Sequence, residues 1–151
     1  CIGAGTVLSK ESTQQAIDHG AQFIVAPNLN EQVAECCIKN NMAYFPGALT
    51  PTEIEKAWSS GATMVKVFPA SQMGPDYIKL LKGPYDEIKM MAVGGISPKN
   101  IPDYFSAGAS AVALGGSIFS TSRMANGEFS VIQKEIEEFL LAVNQIYSNI
   151  I

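Results

Sequence analysis

The feature that most constrains the fold is a unit that recurs three times along the chain. Each copy opens with Gly-Ala and a polar residue, continues with apolar residues and stops at Pro or Gly; the copies are Gly20–Pro27, Gly61–Pro69 and Gly108–Gly116. A helical pattern precedes each copy, and Gly favours the left-handed backbone found just after a helix. The chain is therefore built on a helix, Gly, strand and loop unit with a period of about 20 residues.

This unit predicts the elements along the chain. Strands are expected at about residues 1–5, 22–26, 42–46, 63–68, 88–93 and 110–115. Helices are expected at about 10–19, 30–40, 51–60, 75–82, 98–107 and 129–148. Thr50-Pro51 and Ser97-Pro98 each look like an N-cap followed by Pro at the first helical position. Near-continuous apolar strands that alternate with helices predict an α/β fold with a parallel sheet covered by helices.

Two architectures fit such alternation, an open doubly wound sheet and a (β/α)8 TIM barrel. Barrels of this kind often bind phosphate after their last two strands. Here Gly94-Gly95 follows the fifth predicted strand and Gly115-Gly116-Ser117 follows the sixth. If these are strands seven and eight, residues 1–151 form one barrel domain that lacks its first two strands. The start at Cys1, directly in an apolar strand, agrees with this expectation.

Composition excludes several classes of function. The formal net charge is -4, which gives no electrostatic case for binding nucleic acid or an anionic membrane. No apolar run is long enough to span a bilayer. Cys1, Cys36 and Cys37 form no framework of spaced pairs, which favours a reduced, cytoplasmic setting. With His19 as the one histidine, a zinc site has little support, and neither a metal nor a cofactor is predicted.

Lys66 is an unusual residue in the middle of an apolar strand. Counted from the shared Gly, its equivalents in the other two copies are Val25 and Ala113, both apolar. In a barrel, alternate strand positions point to the interior. Lys66 could extend to solvent or pair with a carboxylate. Alternatively, a desolvated lysine with a lowered pKa can attack a carbonyl and form a Schiff base, and we favour this interpretation.

The glycine pairs after the last two strands are candidate phosphate-binding turns. Glycine is common in tight turns, so a purely structural role is the alternative. However, Gly94-Gly95 and Gly115-Gly116 lie at the ends of strands that should be neighbours. Without Cβ atoms, backbone N–H groups can approach a phosphate closely, and Ser117 adds a hydroxyl donor. We therefore predict a phosphate site at these turns.

Thr6 is a second candidate for substrate binding. It follows Gly3-Ala4-Gly5, which resembles the start of the dinucleotide fingerprint G-x-G-x-x-G. That fingerprint needs Gly at position 8, where the chain has Leu8, so dinucleotide binding is disfavoured. At the carboxyl end of a strand, Thr6 could hydrogen-bond a substrate or simply form the turn into the next helix.

Four motifs together resemble one family. GAGT, VKVFPA, VGGIS and LGGS occur here in the order and spacing of the 2-keto-3-deoxy-6-phosphogluconate (KDPG) and 4-hydroxy-2-oxoglutarate (KHG) aldolases. The resemblance covers nearly the whole chain and is weakest in the last helix. It implies a class I aldolase on a (β/α)8 barrel, a homotrimer without a metal, that cleaves a 2-keto-4-hydroxy acid to pyruvate and an aldehyde.

The resemblance also implies roles for individual residues. Lys66 matches the Schiff-base lysine, and Thr6, Pro27 and Phe68 match residues at the pyruvate end. The phosphate site matches Gly94, Gly95, Gly115, Gly116 and Ser117. Val93, which contacts substrate by this match, stands where many KDPG aldolases have Thr and resembles the branch that acts on the galactonate epimer. The family's general-base Glu and carboxylate-binding Arg have no match here, so the chain is expected to be a fragment.

The implied reaction is cleavage of a 2-keto-3-deoxy-6-phospho sugar acid to pyruvate and glyceraldehyde 3-phosphate, with KHG cleavage as the alternative. Two other hypotheses stay open at this point. One is another phosphosugar barrel enzyme, an isomerase or decarboxylase, in which Lys66 acts as a cation or acid. The other is a non-catalytic domain that binds a phosphorylated metabolite.

Overall fold

A computed structural model describes residues 1–148 as alternating helices and strands. The strands are β1 (Phe23–Val25), β2 (Ala43–Phe45), β3 (Gly47–Ala48), β4 (Val65–Val67), β5 (Met90–Val93) and β6 (Ala111–Ala113). The helices are α1 (Lys10–Asp18), α2 (Glu31–Lys39), α3 (Pro51–Ser59), α4 (Ala70–Lys82), α5 (Ile101–Ser106), α6 (Thr121–Ala125) and α7 (Phe129–Ser148). This order confirms the predicted α/β class.

All strand pairs are parallel and follow the order of the chain. β1 pairs with β2, and β3, β4, β5 and β6 pair in sequence. The two ladders meet at Pro46. The Lys66 amide donates to the Pro46 carbonyl at 2.8 Å, and the Thr63 amide donates to the Tyr44 carbonyl at 2.8 Å. A doubly wound sheet reverses its strand order, whereas this sheet does not. The described strands therefore form the open arc of a barrel.

The first predicted strand, residues 1–5, is wrong in extent. Only Ala4 forms a bridge to β1. Its amide donates to the Phe23 carbonyl at 3.0 Å, and its carbonyl accepts from the Val25 amide at 2.9 Å. The extended segment stops at Thr6, whose φ of 58° turns the backbone into the left-handed region.

One of the two predicted N-caps is confirmed. Thr50 caps α3 in a capping box with Glu53. The N-cap at Ser97 is wrong, because α5 begins at Ile101 and Asn100 precedes it. The side chain of Asn100 accepts the Ser97 amide at 2.8 Å, and the Ile101 amide donates to the Ser97 carbonyl at 3.1 Å, so residues 97–100 form a tight turn first.

Two helices differ from the prediction, and one agrees with it. α4 begins at Ala70 rather than at residue 75, because a short first turn precedes a kink at Gly74, which has a φ of 73°. Pro75 is a typical first residue of a helix, which hid that turn in the sequence. α6 was not predicted, whereas α7 has the predicted bounds. None of the helices in residues 1–148 has the length and apolar character needed to cross a membrane.

The glycine of each repeat copy ends a helix, as predicted. Gly20, Gly61 and Gly108 have φ values of 86°, 85° and 96°. Each directly follows the C-cap residue of its helix. Because this conformation is costly for residues with a Cβ, it explains why Gly recurs at this position.

The main apolar core lies between the sheet and the helices. Val65 and Val67 on β4 are fully buried and pack in one cluster with Ile54 of α3 and Ile78 of α4. Successive residues of a strand point to opposite faces of the sheet. Lys66, between the two valines, therefore points away from this core and towards the inner face of the arc.

Candidate active site

A cavity of about 740 Å³ opens at the carboxyl ends of the strands, on the inner face of the arc. Every predicted site residue except Pro27 lines it. These residues are Thr6, Lys66, Phe68, Val93, Gly94, Gly95, Gly115, Gly116 and Ser117. The structure thus brings together motifs that lie more than a hundred residues apart in the sequence.

Lys66 enters the cavity from the middle of β4. Its Nζ lies 4.6 Å from the centroid of the Phe68 ring. Burial in the cavity wall lowers the pKa of the Lys66 ammonium, because desolvation disfavours the charged form. Among the lining residues within 1–148, Lys66 carries the one ionisable side chain. A partly desolvated amine without a carboxylate partner is suited to act as a nucleophile.

The internal repeat correctly identifies positions on the cavity wall. Val25, Lys66 and Ala113 are equivalent in the three copies, and all three line the cavity. The equivalent positions two residues further on are Pro27, Phe68 and Gly115, of which the last two line it. Lys66 is therefore a charged residue at a position that the fold otherwise fills with apolar side chains.

The turn after β5, Gly94-Gly95, is packed tightly, and we call it the first glycine turn. Gly94 and Gly95 have φ values of 97° and 71°. A Cβ on Gly95 would overlap the Cβ of Ser71. The Gly94 carbonyl accepts the Ser71 amide at 3.1 Å, and the Gly95 carbonyl accepts from Asn100 Nδ2 at 3.0 Å. Both the backbone conformation and the neighbouring atoms therefore require glycine here.

The turn after β6, Gly115-Gly116, is open, and we call it the second glycine turn. A Cβ on either glycine would meet no atom within 4 Å. The amides of Ile118 and Phe119 donate to the Gly115 carbonyl at 3.0 and 3.1 Å. The N–H groups of the central residues of this turn, Gly116 and Ser117, donate to no acceptor within residues 1–148, so they are available to an anion.

Thr6 lies at the cavity in a conformation that is rare for its residue type. Its φ of 58° is left-handed, which is unfavourable for a β-branched side chain. The flanking backbone holds it there, since the Val7 amide donates to the Val25 carbonyl at 3.1 Å. Strained residues of this kind cluster at functional sites, where the surrounding structure keeps them in place.

Pro27 lies outside the cavity lining. Its carbonyl packs against the backbone of Gly47, where a Cβ on that glycine would overlap it. The chain turns away at the end of β1, so the position equivalent to Phe68 does not reach the lining in this copy of the repeat.

Sequence reasoning missed several apolar lining residues. They are Gly5, Phe23, Phe45, Met91, Ile96 and Leu114. Strand alternation could have identified Phe23, which lies two residues before Val25. The rings of Phe23 and Phe45 pack edge to face, with centroids 6.0 Å apart. Met91 lies level with Lys66 in the pairing of β4 with β5. Among residues 1–148 no cluster of potential metal ligands was found.

Comparison with known proteins identifies close similarity to aldolases. The family model described as KDPG and KHG aldolase matches residues 1–135. The chain is 39% identical over 119 residues to 2-dehydro-3-deoxy-6-phosphogalactonate aldolase of Escherichia coli K12, covering 78% of the chain and 58% of that protein. It is 40% identical over 124 residues to 2-dehydro-3-deoxy-phosphogluconate aldolase of Haemophilus influenzae Rd, which covers 82% of this chain and 58% of that protein. The chain therefore spans less than two thirds of the length of these relatives.

Comparison with solved structures also finds similarity to aldolases. A structure described as native KDPGal superposes with a TM-score of 0.90 at 32% identity and covers 97% of this chain and 70% of its own. KDPG aldolase from Legionella pneumophila, captured with pyruvate as a covalent carbinolamine intermediate, superposes with a TM-score of 0.79 at 26% identity, covering 88% and 65%. These likenesses confirm the predicted barrel type.

Proposed function

The chain belongs to the KDPG and KHG aldolase family, and on that premise we propose that it carries the Schiff-base centre of a class I aldolase that releases pyruvate. The observation that supports this most directly is Lys66. Its amine lies in an apolar cavity, its pKa is lowered by burial, and it forms no ion pair within residues 1–148. The Legionella relative was captured with pyruvate bound covalently, which supports the same chemistry here.

The proposed reaction begins with the neutral amine of Lys66. It adds to the C2 carbonyl of a 2-keto-4-hydroxy acid and forms a carbinolamine, which takes up one proton and loses water to give an iminium. The C3–C4 bond then breaks: its electron pair moves into the iminium to form an enamine, and the C4 hydroxyl loses its proton as the aldehyde leaves. Protonation at C3 and hydrolysis release pyruvate and regenerate the amine.

Proton transfer at the C4 hydroxyl needs a general base. Lys66 is the one ionisable side chain among the lining residues that the structure describes. We therefore assign no residue of this chain to that step. Formation of the Schiff base with pyruvate needs only the lysine and water, so it can be tested separately from turnover.

We propose a phosphorylated sugar acid as the substrate, a 2-keto-3-deoxy-6-phospho acid that yields glyceraldehyde 3-phosphate. The second glycine turn supports this, because Gly116 and Ser117 line the same cavity as Lys66 and their N–H groups have no acceptor within residues 1–148. Val93 at the cavity wall supports the galactonate epimer. The 39% and 40% identities to the galactonate and gluconate enzymes do not separate the two epimers. KHG, which has no phosphate, is the alternative substrate.

We further propose a homotrimer in the cytoplasm. The family resemblance supports the trimer, which light scattering coupled to size exclusion would test. Cys1, Cys36 and Cys37 are all free thiols, which supports a reducing compartment.

Trapping with borohydride tests the proposed function. The protein is incubated with pyruvate, reduced and digested, and the modified peptide is identified by mass spectrometry. We expect one adduct on Lys66, absent from Lys66→Met and retained in Lys89→Met, a control at an exposed lysine. No adduct in the folded parent protein, or the same adduct in Lys66→Met, would contradict the proposal. Binding of inorganic phosphate without any adduct would instead favour a non-catalytic phosphometabolite-binding domain.

A further inference from the structure

The charge on Lys66 has an aromatic partner. Its Nζ lies 4.6 Å from the centroid of the Phe68 ring, within the distance at which a cation is attracted to a ring face. None of the ion pairs within residues 1–148 involves Lys66. At the level of Lys66, the flanking strands β3 and β5 present Gly47 and Met91, which are uncharged. Within residues 1–148, the Phe68 ring is therefore the one recorded partner that offers negative potential to this nitrogen.

The backbone around the Phe68 ring is fixed. The Phe68 amide donates to the Ala48 carbonyl at 3.1 Å, which continues the pairing of β4 with β3. A Cβ added to Gly94 would stand 3.5 Å from two atoms of the ring, so the first glycine turn lies beside it. The ring is also 40% exposed, so it is not simply a part of the apolar core. These contacts hold the ring near the reacting nitrogen at the cavity wall.

We propose that the ring face of Phe68 stabilises the positive charge at the Lys66 nitrogen, first as the ammonium and then as the iminium formed with pyruvate. The second part rests on the proposed function. Addition of the neutral amine and loss of water, with one proton taken up, leave a positive charge on this nitrogen. The lining residues within 1–148 include no carboxylate to offset this charge, and Lys66 is partly desolvated there. Phe68 is thus a positioning residue that acts through Lys66, a role distinct from lining the pyruvate end.

The size of the effect follows from that of cation–π contacts. Between an exposed and a desolvated site, such a contact changes an equilibrium by about 2-fold to 30-fold. At a pH above the pKa of Lys66, where the free amine is neutral and the iminium alone carries the charge, removing the ring should raise the pyruvate concentration for half-maximal adduct formation by a factor in this range. It should also lower the pKa of Lys66, because the ammonium loses its stabilising partner while the desolvation remains.

The experiment compares Phe68→Leu, which keeps an apolar side chain without a ring, with Phe68→Tyr, which keeps the ring. Phe129→Leu is the matched control, because Phe129 is 59% exposed and does not line the cavity. The fraction of chain trapped by borohydride is measured against pyruvate concentration at a pH above the pKa of Lys66, where the free amine is neutral. No loss of trapping in Phe68→Leu at that pH would overturn the iminium part. We expect weaker trapping in Phe68→Leu, and trapping within about 2-fold of the parent in Phe68→Tyr and Phe129→Leu. Equal losses in Phe68→Leu and Phe68→Tyr would overturn the inference.

A second measurement does not need pyruvate. The pH dependence of acetylation of Lys66, followed by peptide mapping, gives the pKa of its amine in each variant. We expect a lower pKa in Phe68→Leu than in the parent and in Phe68→Tyr. An unchanged pKa would overturn the inference about the ammonium even if trapping works. If the parent forms no pyruvate adduct, the proposed function and the iminium part fail together, whereas the ammonium part is still decided by this pKa.

Discussion

The two glycine turns have the same sequence pattern but different surroundings. In the first, Gly94 and Gly95 have positive φ, and Gly95 abuts Ser71. In the second, Gly115 and Gly116 have neither a left-handed φ nor an atom near an added Cβ. The fold therefore requires glycine at the first turn, whereas no contact within residues 1–148 requires it at the second. Glycine at the second turn is consistent with the proposed close approach of a ligand to the backbone.

The largest effect is expected for Gly95→Ala at the first turn. Overlap with the Ser71 Cβ costs about 1–3 kcal/mol, and the left-handed φ of 71° costs about 1–2 kcal/mol more. We expect the free energy of unfolding to fall by about 3 kcal/mol, measured by urea denaturation. In the double variant with Ser71→Gly, the part of this loss that comes from the overlap should be recovered, whereas the part that comes from the backbone conformation should remain. If adding Ser71→Gly does not raise the free energy of unfolding of Gly95→Ala, overlap with Ser71 is not a reason for glycine at this position.

Gly94→Ala should have an intermediate effect, because only the backbone conformation opposes it. A Cβ at this position would lie 3.5 Å from the Phe68 ring, an ordinary contact, whereas the φ is 97°. We expect a loss of about 1–2 kcal/mol in the free energy of unfolding. A loss as large as that of Gly95→Ala would show that the two glycines of this turn are not distinguished by packing.

Gly115→Ala should be neutral or slightly stabilising. Its φ lies outside the left-handed region and the space is open, so alanine gains about 0.4–1 kcal/mol by restricting the unfolded chain. Binding of inorganic phosphate, measured by calorimetry, should weaken in the same variant. If Gly115→Ala instead lowers the free energy of unfolding and leaves phosphate binding unchanged, glycine has a structural role at both turns and the contrast between them is wrong.

The smallest expected effect is the pH dependence of stability that arises from the charge of Lys66, in the cavity that both turns border. Burial lowers the pKa of Lys66 in the folded state, so between that pKa and the usual lysine pKa the unfolded chain binds more protons. The free energy of unfolding of the parent should rise as pH rises through this window. Below the window, the full cost of burying the charged Lys66 is present. Lys66→Met should therefore melt higher than the parent near neutral pH, and this difference should shrink in alkaline solution. A difference in melting temperature that is constant with pH would contradict this.

Much of the fold could be predicted, because each repeat copy contains its own local signals. Gly20, Gly61 and Gly108 identified the helix ends, and Thr50 identified a helix start. One error arose where two local signals compete. Ser97-Pro98 has the pattern of a cap, but the Asn100 side chain forms a turn at that place first.

Lys66 and the glycine turns of the candidate site could be predicted from the sequence, whereas their contacts could not. Strand position and turn composition identified Lys66 and the glycines, since both properties are local. The overlap of Gly95 with Ser71 and the place of Phe68 beside Lys66 depend on how α4 and β4 meet, which is tertiary. Pro27 shows the limit of the repeat, because equivalence in sequence did not bring it to the cavity.

The chain-ordered sheet has a consequence for synthesis on the ribosome. Each described strand pairs with the strand just before or after it, so both partners of a ladder leave the ribosome close together in time. Once residues up to α3 have emerged, the β1–β2 pair and the helix α2 between these strands are complete. Pairing that is local in sequence is favourable for fast folding and for folding one unit after another. The arc can therefore grow in the direction of translation, and the strand that carries Lys66 starts the second ladder by pairing with β3, which has already emerged.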